Sequence, residues 1–146
     1  MKRKIASVAA ATAALVVLAG CAAPAETPDA DDAQGQDITF WVMGGDTPDA
    51  LRDYLKTEYK KATGGTLTIE EQGWGDALAK LTTALPDAEN TPDVTEIGNT
   101  WSPTFTTVGA FSDISDMYDE LGGDKLLKSF VEVGEVDGKN YALPYY

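Results

Sequence analysis

At 146 residues the chain has the length of a single domain. Its formal net charge of −13, despite Lys2, Arg3 and Lys4 at the start, argues against nucleic acid and anionic membrane surfaces as partners, because both call for basic patches. There is no histidine, so Ser-His-Asp catalysis, Cys-His catalysis and histidine metal sites are excluded, and Cys21 is the sole cysteine, so no internal disulfide can form.

Residues 1–20 begin basic and continue as an apolar run from Ile5 to Ala19. That run has signal-peptide length and is short for a membrane span. It ends in Leu18-Ala19-Gly20-Cys21, which looks like a bacterial lipobox, with Cys21 as the lipidated residue. Residues 21–36 are mainly Ala, Pro, Asp and Gln without a large apolar side chain, and read as a disordered tether. Asp29, Asp31 and Asp32 lack the glycine and terminal glutamate of a calcium loop and read as solvated charge.

The α/β part is expected over 37–146. Asp37 to Met43 reads as a first strand buried on both faces, broken at Gly44-Gly45. Ligands of open α/β sheets sit outside the carboxyl ends of the strands, so the turn Gly44-Gly45-Asp46 is the first place to look for a site. Thr47-Pro48 reads as N-cap and first residue of a helix carrying Leu51, Tyr54, Leu55 and Tyr59 at helical spacing, which Gly64-Gly65 ends. Thr66 to Glu70 alternates as a second strand, giving a right-handed βαβ unit. Glu70 and Glu71, adjacent on a strand, point to opposite faces and do not form a catalytic pair.

Gly73-Trp74-Gly75 starts like a dinucleotide fingerprint, but Leu78 stands at its third glycine position, so no cofactor is expected. Asp76 is placed to cap a second helix with the buried stripe Ala77, Leu78, Leu81, Ala84 and Leu85. Asp93 to Gly98 reads as a third strand opening into Asn99-Thr100-Trp101-Ser102-Pro103. For Trp101 two readings stand level: a cleft residue beside an amide, or a ring packed under the next helix. Phe105, Val108 and Phe111 are expected to anchor that helix. Asp113, Asp116 and Asp119 read as solvated charge near a helix start rather than a metal site. Leu126, Leu127, Phe130 and Val131 mark a last short helix, and Asp137-Gly138 a tight hairpin. The chain stops in Ala142-Leu143-Pro144-Tyr145-Tyr146, an apolar, strand-like stretch, so truncation is expected.

These pieces together resemble extracellular solute-binding proteins of family 1, the carbohydrate-binding lipoproteins of ABC importers related to maltose-binding protein. The matching residues are Leu18–Cys21, Ile38–Gly44, Trp74, Pro92-Asp93-Val94, Gly98-Asn99-Thr100-Trp101, Gly109 to Ile114, and Asp137 to Tyr145. The resemblance implies a periplasmic-binding-protein-like (type II) α/β fold of two lobes around a sugar-holding cleft, with this chain covering part of the first lobe only. It implies a carbohydrate ligand, the transmembrane subunits of an ABC permease as partners, a lipid anchor on the outer face of the cytoplasmic membrane, and a monomer. The cleft positions it implies are Gly45, Asp46, Asn99, Thr100 and Trp101, with Tyr145 near the crossover region and Trp74 and Tyr146 as weaker positions. Carboxylate and amide groups suit sugar hydroxyls, and indole or phenol rings suit the C–H face of a pyranose. Trp41, inside the strand, is expected in the core. The alternative function is an exported glycoside hydrolase, which needs two carboxyl groups roughly 5–9.5 Å apart. Asp46 is the only acid that this reading places at a strand's carboxyl end.

Overall fold

Three parallel strands, β1 (Ile38–Met43), β2 (Leu67–Gln72) and β3 (Val94–Thr95), form a sheet in the order β2-β1-β3. The computed structural model describes residues 34–146. The expected signal peptide, Cys21 and the expected tether as far as residue 33 lie outside the described residues. The tether's last residues are held: Gly35 N–H donates to Thr63 O at 2.7 Å, and the Tyr59 hydroxyl to Gln36 O at 3.0 Å.

β1 is central, and its period-two alternation feeds two faces. Met43 and Trp41 point to the face where helix α2 (Trp74–Ala84) and helix α3 (Ser102–Thr107) pack. There Met43, Ala77, Leu81 and Phe105 make the buried cluster, with Trp41, Leu85, Ile97, Trp101, Ala110 and Phe111 against it. Trp41 is therefore core-packed, and its indole N–H reaches its cross-strand neighbour Glu70 at 3.0 Å. Val42 and Glu71 share the opposite face, where Arg52 of helix α1 (Asp49–Thr63) pairs with Glu71 at 2.8 Å. The two connecting helices thus lie on opposite faces, and the sheet reverses winding direction between β1 and β3. That junction is the topological switch point, with its crevice outside the carboxyl ends of the two strands.

Several sequence expectations shift. Helix α1 starts one residue later than expected: Pro48 is the N-cap, and its carbonyl accepts from Leu51 and Arg52. The Thr47 hydroxyl does not cap; it faces the Tyr145 hydroxyl at 3.3 Å in the interior. No residue of α1 is fully buried, and Leu51 and Tyr54 are exposed. Gly73, not Asp76, is the N-cap of α2, and Asp76 pairs with Lys80 one turn on. Leu78 is exposed, while Ala77, Leu81 and Ala84 form the buried stripe and Leu85 is half-buried. Of the expected anchors of α3, Phe105 is buried and Phe111 half-buried, but Val108 is 73% exposed, one residue past the helix. Leu126 and Leu127 precede helix α4 (Lys128–Val131), of which only Val131 is buried.

β3 is two residues long where six were expected. The reason is that carboxylates take over at both ends of its ladder with β1. Asp93 Oδ2 accepts from Thr39 N–H at 2.8 Å, and Glu96 Oε2 accepts from Met43 N–H at 2.8 Å. Both amides are satisfied without further strand pairing.

The hairpin forms as expected: β4 (Glu135–Val136) and β5 (Lys139–Asn140) pair antiparallel across Asp137 (φ 53°) and Gly138 (φ 76°). Lys139 reaches back to Asp113 at 2.7 Å, and Asp113 also accepts from the Ser115 hydroxyl at 2.6 Å and the Ser115 amide at 3.0 Å. Asn140 N–H donates to the Ser115 hydroxyl, and Asn140 O accepts from Ile114 N–H. The hairpin is thereby fixed to the 113–115 turn.

Two predictions follow from this packing. Leu81 is fully buried in the main cluster, so Leu81→Ala in the full-length protein should cost about 2–5 kcal/mol by chemical denaturation. A loss below about 0.5 kcal/mol is surface behaviour and would place Leu81 outside the core. The Lys139 ammonium first, then the Ser115 hydroxyl and amide, lower the Asp113 carboxyl from 3.8 to about 2. A carboxyl lowered by folding adds stability that is present above its unfolded pKa and lost as pH falls through the folded one. The Asp113 contribution should therefore fade between about pH 4 and pH 2. Denaturation midpoints over that range should fall less steeply for Asp113→Asn than for the parent; an unchanged slope would contradict this.

Candidate functional site

The crevice at the switch point is built from three stretches far apart in sequence. The turn after β1 supplies Gly44, Gly45 and Asp46. The start of α2 supplies Trp74. The segment after β3 supplies Glu96 and Trp101. The end of the chain, Tyr145-Tyr146, reaches the first and the last of these stretches.

Trp74 and Trp101 form its aromatic wall, edge to face with ring centroids 5.6 Å apart and planes at 61°. Such pairs contribute about 0.5–1.5 kcal/mol beyond burial. Backbone without side chains makes room for each ring. Gly44 has φ 55°, and a Cβ there would lie 2.9 Å from Trp74 Cδ1. A Cβ on Gly98 would meet the Trp101 ring at 3.3 Å. Of the two readings of Trp101 the structure supports the packed ring: it lies on the core cluster, half-buried, and leans on Trp74.

The polar part is acceptor-rich. Asp46 Oδ2 accepts from the Trp74 indole N–H at 2.7 Å and faces the Tyr146 hydroxyl at 3.2 Å. That hydroxyl also donates in a short hydrogen bond to Glu96 Oε1. Glu96 is only 7% exposed, and its other oxygen holds Met43 N–H. Although the Tyr146 ring is largely exposed, desolvation of its hydroxyl first, then the Glu96 and Asp46 carboxylates, push its phenol up. Tyr145 stacks tilted against Tyr146 at 5.1 Å and edge-on to Phe40 at 6.3 Å.

Of the expected positions, Asp46, Trp101 and Tyr145 converge here, joined by Trp74 and Tyr146, the weaker expectations, both of them exposed. Gly45, Asn99 and Thr100 are exposed on the two turns that frame the crevice. Sequence reading missed Glu96. Its signal was an acid between Thr95 and Ile97 in a stretch otherwise read as a buried strand, where a charge has no place without partners. The expectation that Asp46 is the only acid at a strand's carboxyl end is thus corrected. Among the described residues no group of three or more acidic or cysteine side chains is placed to hold a metal ion.

Residues 55–146 match the profile of the bacterial extracellular solute-binding proteins. Over its whole length the chain is 37% identical to the diacetylchitobiose binding protein DasA of Streptomyces coelicolor, and it spans 35% of that relative. The extracellular solute-binding protein of Staphylococcus aureus, solved in complex with maltose, is 27% identical, with a TM-score of 0.60 over 74% of this chain and 28% of that one. The acarbose-binding GacH receptor of Streptomyces glaucescens has the same fold at 22% identity, with a TM-score of 0.65 over 76% of this chain and 29% of that one. The fold is therefore the type II periplasmic-binding-protein-like α/β fold, represented here by part of one lobe.

Proposed function

The chain belongs to the bacterial extracellular solute-binding protein family, and from that premise we propose that it serves a substrate-binding protein that captures a sugar or oligosaccharide outside the membrane and delivers it to an ABC permease. The observation that carries the reading is the Trp74–Trp101 pair hydrogen-bonded to Asp46 in the switch-point crevice. Indole faces cover the C–H surface of a pyranose, while Asp46, Asn99, Thr100 and the tyrosine hydroxyls meet its hydroxyl groups. The diacetylchitobiose and maltose named for two of the relatives supply the first ligands to try.

The hydrolase alternative has little support. Glu96 does bring a second carboxylate to the crevice, but its oxygens are committed to Met43 N–H and Tyr146. The relatives, moreover, are named for binding rather than for cleavage. In this reading the protein is a monomer, not an enzyme, and needs no cofactor.

The ring of Trp101 is already partly covered by protein, so a ligand gains only part of its area. Trp101→Ala in the full-length protein should weaken diacetylchitobiose or maltose binding by about 1–3 kcal/mol in calorimetry, and Trp101→Phe by less. If Trp101→Ala binds like the parent while its melting temperature falls, the ring serves the core alone. The anchoring half of the proposal rests on Leu18–Cys21. Stable anchoring takes two or more acyl chains. Cys21→Ala should therefore abolish lipid labelling and release the protein from the membrane fraction. Unchanged labelling of that variant would remove the anchor from the reading.

A further inference from the structure

The charge of the crevice carries a statement about which sugars it accepts, resting on the sugar-binding reading above. Asp46 and Glu96 both face one phenol hydroxyl, which has a single proton for two carboxylate oxygens. Their other partners are the Trp74 indole N–H and the Met43 amide, both neutral. Among the described residues neither carboxylate has an ion pair. The cation nearest Asp46 in sequence is Arg52, and its guanidinium is held by Glu71 at 2.8 Å and by the carbonyls of Thr47 and Gly44 at 2.7 and 3.3 Å. Lys80, at the far end of the first turns of α2, is held by Asp76 and Gln72. Among the described residues the crevice therefore holds two carboxylates without an ion pair, Asp46 exposed and Glu96 buried with both oxygens taken, on a chain that is itself strongly acidic.

Such a surface rewards a ligand that brings hydrogen-bond donors and repels one that brings negative charge. We propose that the site selects uncharged or cationic sugars and rejects uronic acids and sugar phosphates. Asp46 would be the contacting carboxylate, with Glu96 a positioning residue that acts through Tyr146. Asp46 Oδ2 takes the Trp74 indole N–H and faces the Tyr146 oxygen, so Oδ1 is the oxygen offered to a ligand hydroxyl or N–H.

The test compares matched pairs on the full-length protein by calorimetry: diacetylchitobiose and maltose, each against its uronate, in which one CH₂OH is oxidised to a carboxylate. The uronate of whichever sugar binds is expected to bind at least about tenfold more weakly, since like charges brought together in an interface are costly. The ratio should shrink as salt is raised to about 1 M, where charges are screened within about 3 Å. It should also shrink in Asp46→Asn and, by a smaller factor, in Glu96→Gln. Weaker binding of both members of a pair with an unchanged ratio would mean that these residues only shape the crevice. A uronate that binds as tightly as its neutral partner overturns the proposal while leaving the sugar reading intact. So does a ratio that moves neither with salt nor with Asp46→Asn. If neither sugar nor either uronate binds, the sugar reading itself fails, and this inference with it.

Discussion

The buried carboxylate of Glu96 joins the sheet to the site. One oxygen ends the β1–β3 ladder by taking the Met43 amide, and the other takes the Tyr146 hydroxyl. A charge this deep is tolerated only with its hydrogen bonds made. Removing it would strand a buried amide on β1 and release Tyr146 together. A backbone carbonyl would have satisfied Met43 equally well. What the side chain adds is a second acceptor aimed into the crevice, which links the last turn of β1 to the end of the chain.

From that link follows the overlap between core and site. Met43 sits in the buried cluster with Ala77, Leu81 and Phe105, and the same cluster backs Trp101. Trp101 then meets Trp74, and Trp74 meets Asp46. Trp101 is thus an outer layer of the core, and Trp74 is held against it rather than added freely to the surface. Rings held in place in this way lose little further freedom in any contact they make.

The carboxyl-terminal stretch reaches the crevice through the hairpin. Asp113, Ser115 and Ile114 grip β5 at Lys139 and Asn140, and Gly134 O accepts from Tyr141 N–H. The chain is then directed back along β1, where Tyr145 meets Phe40 and Thr47. The surface ion pair of Lys139 and Asp113 contributes to the site only indirectly, by fixing where this return begins.

Much of this was legible in the residues. The apolar, β-branched first strand, the helices ended by Gly64 and Pro86, the Asp-Gly hairpin and the turn at Gly44-Gly45-Asp46 are local features, each set by side-chain period or backbone chirality, and each appears close to its expected place. Local pattern also favoured Asp76 as a cap and Leu78 as core. There the fold overruled it, because helix α2 begins at Trp74 and presents only Ala77, Leu81 and Ala84 to the interior. The length of β3 and the partners of Glu96 were beyond reach, since they depend on which amides of β1 stand opposite a side chain 53 residues away. Tyr146 lies 100 residues from Asp46 in the chain and meets it only because the hairpin turns the chain back. The sequence by itself determined which elements form and where the turns after the strands fall, because those follow from periodicity and turn chemistry. Only the tertiary structure decided which side chains share the crevice, because hydrogen bonds between distant segments depend on the packing of all of them at once.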